Sequence, residues 1–498
     1  MFTGMRIRGA VLLAALMASP IVLATERLPE PVAQTIKRVG LPAKGLSLYV
    51  HEVGAHTPLL AFDADSARNP ASSIKLLTTL VALEELGPAY AWKTEAYAAA
   101  PIANGRLTGD LYLKGYGDPF LVSEHFWRFL RELRTDGIET IGGDLVLDQT
   151  YFVPEPGDPA EFDGEPSRVY NVLPAALLVN FQAVRFHLMP HANRLRVIAD
   201  PHPAHVQIDN RIAMTRERCR EGVRRVGMQV LERDAKVQVR LSGRYDANCG
   251  EYELFRVVSE PVSFIHGVFQ SYWREQGGRF DGAVRLAPVP PEAQRLHVQH
   301  SAPLADVIRS VNKFSNNVMT RQLLLTLGAE RGGAPGTTAK GIKVIEGWLA
   351  RRGFNFPELV LDNGSGLSRA ERISARHLGQ VLLAGYDSPF MPEFVSSLPV
   401  AALDGTLRRR FGGAPLEARM HLKTGSLNEV RSMAGYLYDR HGRRVVVVAL
   451  HNHPRINTFA AEQVQDALLT WVYQRPAGER WVEPPAADAS AAPAASEN

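Results

Sequence analysis

From Trp92 to Ser259 the chain is built mostly of short runs in which apolar and polar residues alternate, while on either side it follows helical periods. Val184, Phe186 and Leu188, then Leu195 and Val197, then Val237, Val239 and Leu241 have this two-residue spacing, with Gly, Pro, Asn and Asp between the runs. They predict antiparallel strands with hairpins, one of them around residues 190–193. One amphipathic helix, 124–134, interrupts them. Upstream, residues 72–87 predict a helix led in by Pro70 and Ala71 and closed by Gly87 and Pro88. Its apolar residues (Ile74, Leu76, Leu77, Leu80, Val81, Leu83) cover most sides, so it is expected inside a larger body. Downstream come helices at 262–276, 305–327 and 338–352, strands at 421–425, 433–438 and 443–451, and a last helix at 458–473. The expected layout is an α/β domain, residues 25–91 and 260–475, split by a β-rich insertion of one or two small domains at 92–259.

The N-terminal pattern predicts export. Arg6 and Arg8 precede an apolar run at 9–23, broken by Pro20 and followed by the small Ala24. This is the pattern of a secretory signal peptide, residues 1–24, and the run is shorter than the roughly 20 residues a membrane span needs. No later segment is long and apolar enough to serve as a transmembrane anchor. The formal charge is 56 − 52 = +4 and falls to +2 without Arg6 and Arg8, which gives no footprint for a nucleic-acid partner. The basic runs 216–225 and 408–410 read as solvated faces. Export permits a disulfide between the two cysteines, Cys219 and Cys249, closing a loop worth about 3 kcal/mol in the chain-entropy model. The alternative is two buried free thiols. Residues 476–498, rich in Ala, Pro and acids, read as a disordered tail.

No HExxH, phosphate-binding loop or dinucleotide turn is present, and the close histidine pairs (His202 with His205, His451 with His453) lack a carboxylate pattern. Neither a metal nor another cofactor is expected. The productive pattern is Ser-x-x-Lys, whose two side chains share a helix face, so that a desolvated amine can serve as base toward the hydroxyl. It occurs twice, at Ser72/Lys75 and at Ser310/Lys313. Alone, Ser72 reads as a helix cap and Lys75 as a solvated side chain. Two further elements decide: Ser315-Asn316-Asn317, and Lys423-Thr424-Gly425 at the end of a predicted strand. Ser72/Lys75, Ser315/Asn317 and Lys423/Thr424/Gly425 form the ordered set of penicillin-binding proteins and serine β-lactamases. Ser310/Lys313 falls too close to Ser315 for both to take separate places in one site.

The surrounding stretches extend the likeness: Asn69-Pro-Ala-Ser72-Ser-Ile-Lys75, Gly117-Asp-Pro119, Asn363-Gly-Ser-Gly-Leu-Ser-Arg369, the run from Leu398 to Thr406, and His421-Leu-Lys-Thr-Gly-Ser426. The chain resembles the low-molecular-mass class C penicillin-binding proteins, the peptidase S13 D-alanyl-D-alanine carboxypeptidase/endopeptidase group of penicillin-binding protein 4 type. The likeness runs from about residue 45 to 450. Asn316 and Asn363 stand where relatives often carry Asp. The resemblance implies a penicillin-binding transpeptidase/β-lactamase-like fold, an antiparallel sheet flanked by helices, and a periplasmic enzyme.

It also implies roles. Ser72 is the nucleophile and Lys75 its base. Ser315 relays a proton to the leaving amine, with Lys423 polarising that hydroxyl and attracting the substrate carboxylate. Asn317 holds Lys75 and the substrate amide, and Thr424 meets the terminal carboxylate. Gly425 and Ser426 lie along the substrate, and the backbone N–H groups of Ser72 and Ser426 form the oxyanion hole. The implied substrates are peptidoglycan stem peptides, and the implied covalent inhibitors are β-lactam antibiotics. Two other functions remain open: a serine β-lactamase, which would need a base for deacylation, and a catalytically silent wall-binding protein. Glu358 faintly resembles the deacylating carboxylate of class A enzymes, but its surroundings read as a loop.

Overall fold

The computed structural model describes residues 27–192, 194–219, 225–233 and 236–476. The expected signal peptide and the tail beyond Pro476 lie outside the described residues, as does part of the basic run 216–225. Among the described residues no helix is long and apolar enough to cross a membrane.

Hydrophobic clusters cover both faces of a five-stranded antiparallel sheet in the order Met420–Leu427, Val430–Tyr438, Arg444–Asn452, Leu46–Glu52, Leu60–Phe62. Period-two alternation explains the near-continuous apolar run of Arg444–Asn452, because both faces are covered. Val446, Val448 and Leu450 pack on one face with the helices Lys75–Leu86, Leu304–Phe314, Asn317–Gly332 and Ala375–Asp387. Val445, Val447 and Ala449 pack on the other with the terminal helices Glu30–Val39 and Thr458–Gln474.

A separate core lies between Lys93 and His300. It holds the helix Ser123–Thr135 and the hairpin Val184–His191 with Arg194–Asp200, whose turn pairs His191 with Arg194. The pairing there is not wholly antiparallel. Val206–Thr215 runs parallel to Lys236–Asp246, with Val226–Arg233 on the far side of the latter. That intervening strand supplies the long connection a parallel pair requires. Cys219 and Cys249 are joined in a disulfide across this region, with Cα atoms 5.0 Å apart.

The return to the first body also comes later than the composition suggests. The helix Pro261–Glu275, expected with the catalytic body, buries Phe264, Ile265, Val268, Phe269 and Trp273 in the second core. Gln294–His300 then pairs antiparallel with Lys93–Ala98. The amphipathic pattern of that helix marks a buried face but not which core receives it.

Candidate active site

Ser72 sits in a 3-10 turn, Ala71–Ile74, that leads into the α-helix Lys75–Leu86. The sequence predicts an α-helix from Ser72 onward. In the tighter 3-10 geometry residues i and i+3 eclipse, which aims the Ser72 and Lys75 side chains together. Lys75 Nζ donates to Ser72 Oγ at 3.0 Å and to Asn317 Oδ1 at 2.7 Å, and also to the Ser365 carbonyl.

The turn is held from several sides. Ala71 is fully buried with φ at +44°, a conformation that non-glycine residues seldom adopt. Its N–H donates to Asn69 Oδ1 at 2.8 Å. Asn69 N–H donates in turn to Asn452 Oδ1 at 2.7 Å, and Asn452 Nδ2 returns a bond to the Asn69 carbonyl at 3.0 Å. Two glycines allow backbone to abut the nucleophile. A Cβ on Gly366 would stand 2.1 Å from the Ala71 carbonyl oxygen, and one on Gly425 would stand 2.8 Å from the Ser72 nitrogen. Ser432, from the adjacent strand, bonds both Ser73 Oγ at 2.9 Å and the Pro70 carbonyl at 2.5 Å.

The expected helix 305–327 is two helices. Leu304–Phe314 ends at Ser315, which takes the left-handed conformation with φ at +57°. The next helix, Asn317–Gly332, starts from Asn316, whose side chain accepts from Met319 N–H at 3.0 Å. Asn is among the preferred capping residues, which suits Asn316 to this position. The break turns Ser315 Oγ toward Lys423 Nζ, 2.8 Å away, and Lys423 also donates to the Thr424 carbonyl at 2.6 Å. The second Ser-x-x-Lys pair is put to another use. Lys313 donates to the Leu398 carbonyl at 2.7 Å and to Asp404 at 2.6 Å, within the loop that presents Thr406 to Thr424, their hydroxyls 2.9 Å apart.

Both active-site lysines are fully buried. Burial pushes the Lys75 ammonium well below the usual lysine range, the Lys423 charge pushes it further the same way, and the Glu371 carboxylate opposes both. Burial brings Lys423 down to about 7. Burial thus lowers the proton affinity of both lysines. Ser72, Ser315, Asn317 and Ser426 line a cleft of about 600 Å³, closed on one side by Phe162, Asp163 and Tyr170 of the inserted region. Arg369 stacks over Phe162 at 4.8 Å to the ring centroid and so ties that wall to the loop 363–369.

The structure brings Ser72, Lys75, Ser315, Asn317, Lys423, Thr424, Gly425 and Ser426 together at one site. Glu358 is occupied elsewhere, accepting from Ser374 N–H at 2.8 Å and bonding His377 Nδ1 at 2.6 Å. Sequence reading missed the Ser365 carbonyl, the amide pair Asn69/Asn452 and the buried Glu371. A carbonyl contact leaves no side-chain signature, and Glu371 stands in a stretch whose turn formers announce only a loop.

A sheet covered by helices on both faces, with paired Ser/Lys groups at one edge, defines an acyl-transfer fold of penicillin-recognising type. The D-Ala-D-Ala carboxypeptidase 3 (S13) family matches residues 28–475, and the chain belongs to that family. It is 29% identical over 440 residues to a D-alanyl-D-alanine carboxypeptidase of an Actinomadura species, covering 84% of this chain and 80% of that one. It is 26% identical over 392 residues to the D-alanyl-D-alanine carboxypeptidase DacB of Haemophilus influenzae, covering 77% of this chain and 80% of the other. The crystal structure of penicillin binding protein 4 from Haemophilus influenzae shares the fold, with a TM-score of 0.73 at 23% identity over 89% of this chain and 99% of that one.

Proposed function

We propose that the protein is a serine D,D-peptidase of the cell wall that removes terminal D-Ala from peptidoglycan stem peptides and cleaves D-alanyl cross-links. The observation that carries this reading is the Ser72 hydroxyl 3.0 Å from the amine of a fully buried Lys75. Lys75 takes the Ser72 proton as Oγ attacks the carbonyl carbon of the D-alanyl bond. The backbone N–H groups of Ser72 and Ser426 receive the oxyanion. Collapse breaks the C–N bond as Ser315 relays the proton held by Lys75 to the leaving amine, and Lys423 keeps that hydroxyl polarised. Thr424 and the Lys423 charge hold the leaving residue's carboxylate. Water then cleaves the ester, which restores Ser72 and releases the shortened peptide. A β-lactam presents its ring amide to the same serine and acylates it.

The protein acts in the periplasm, after export and cleavage near Ala24. We place the division of the chain by its two cores, with the inserted region running from Lys93 to His300 and the catalytic body on either side. The test is the intact mass of the mature protein after brief exposure to benzylpenicillin, beside Ser72→Ala. A single adduct absent from the variant is the expected result. Rapid antibiotic loss without an adduct would identify a β-lactamase, and neither adduct nor turnover would overturn the enzymatic reading.

A further inference from the structure

Behind Lys75 lies a carboxylate that the acyl-transfer steps above do not use. Glu371 is fully buried. Its Oε1 accepts from the N–H groups of Gly364 at 2.7 Å and Asn363 at 3.2 Å. The same short loop turns its carbonyls toward the catalytic helix. Gly364 oxygen accepts from Thr78 Oγ1 at 2.8 Å, and Ser365 oxygen accepts from Lys75 Nζ. One carboxylate therefore fixes the two N–H groups that precede the carbonyl gripping the base. Its other oxygen, Oε2, is buried without a hydrogen-bond partner. Leaving half a buried carboxylate unsatisfied is unfavourable for a group whose only task is to staple a loop.

We infer that Glu371 is a positioning residue that sets the proton affinity of Lys75, through its charge and through the loop 362–365. The inference rests on Ser72 and Lys75 acting as proposed above. The charged groups facing Glu371 are Lys75 and Asp362, and those facing Lys75 are Glu371 and Lys423. Burial pushes Glu371 up to about 7, Asp362 acts in the same direction, and the two N–H groups and Lys75 oppose it. The ionised carboxylate favours the Lys75 ammonium, so its presence keeps Lys75 from being neutral over the whole pH range.

The experiment is the rate of acylation by benzylpenicillin between pH 5 and 9, on the mature full chain, after mass spectrometry has located the adduct on Ser72. Glu371→Gln keeps the acceptor oxygen and removes the charge. Lys75 should then lose its proton at lower pH, and the acidic limb should move down by about one unit. Asn363→Asp adds a carboxylate to the same loop and should move the limb up. A loop staple would lower the plateau without moving the limb. An unmoved or upward-shifted limb in Glu371→Gln overturns the inference. If that variant does not fold, an unmoved limb in Asn363→Asp does so. A wild type that forms no adduct removes the functional reading and this inference with it, whereas an adduct with an unmoved limb removes the inference alone.

Discussion

Gly425→Ala tests whether close backbone approach builds the proposed oxyanion hole. The added Cβ would stand 2.3 Å from Ser432 Oγ and 2.8 Å from both the Pro70 oxygen and the Ser72 nitrogen. Ordinary contact begins near 3.4 Å, so the strand Met420–Leu427 must retreat by 3.4 − 2.3 = 1.1 Å, or Ser432 must give up its bonds to Ser73 and Pro70. Overpacking of this kind costs about 1–3 kcal/mol of stability. The effect on chemistry should be larger in proportion, because a displacement of about 1 Å in a reacting constellation lowers rates roughly 100-fold. The assay is the second-order rate of acylation by a fluorescent penicillin, with a thermal melt to show that the variant is folded. Adding Ser432→Ala removes the nearest clash but leaves the two contacts at 2.8 Å, so recovery should be partial. A folded Gly425→Ala that acylates within about threefold of wild type would refute the reasoning, since the Ser72 and Ser426 donors would then tolerate the displacement.

Three other outcomes follow from the site and the fold. Thr424→Ala should lower kcat/KM for a D-Ala-D-Ala peptide by about tenfold or more, the loss expected for one hydrogen bond to a charged group; steady-state kinetics on a pentapeptide reads this. Lys423 holds its proton in the unfolded chain up to about pH 10.4 but releases it near 7 in the folded protein. Between those values the unfolded state binds more protons, so stability should rise with pH from 7 toward 10. Denaturant titrations of Lys423→Met should show a shallower rise. Replacing Cys219 and Cys249 by Ser should lower stability by about 3 kcal/mol, read by thermal or denaturant melts, while leaving penicillin acylation at its wild-type rate.

Side-chain chemistry was the most legible layer of this sequence. Ser72/Lys75, Ser315/Asn317 and Lys423 through Ser426 could be picked out because together they follow the motif order of the family the chain resembles, and the decoy Ser310/Lys313 could be set aside. The terminal strands were legible because the β-branched run Val445 through Val448 and its short length favour a strand covered on both faces. The helix break at Ser315 was harder to see. Leu304–Phe314 and Asn317–Gly332 are both apolar enough to continue one period, and only the capping amide of Asn316 marks the join. Which core a segment joins was not legible. The helix Pro261–Glu275 carries a buried face that would suit either core, and strand pairing with Lys93–Ala98 decides where the chain returns. Glu371 was missed for a related reason: its partners are backbone N–H groups, which every residue but proline possesses.

The pairing of Lys93 with His300 makes a stem for the segment 93–300, which also packs through Phe152 and Val172 on the helix Asn317–Gly332. The chain enters and leaves through two neighbouring antiparallel strands, so a tight turn joining them would reconnect the catalytic body after the whole segment is cut out. Such a minimal chain would keep Ser72, Lys75, Ser315, Asn317 and Lys423 on their own scaffold. It would lose Phe162, Asp163 and Tyr170, and with them one wall of the cleft. The side chains proposed for acylation and those of that wall therefore lie in different stretches of the chain. A foreign segment spliced at the same stem could present a new wall to an unchanged serine.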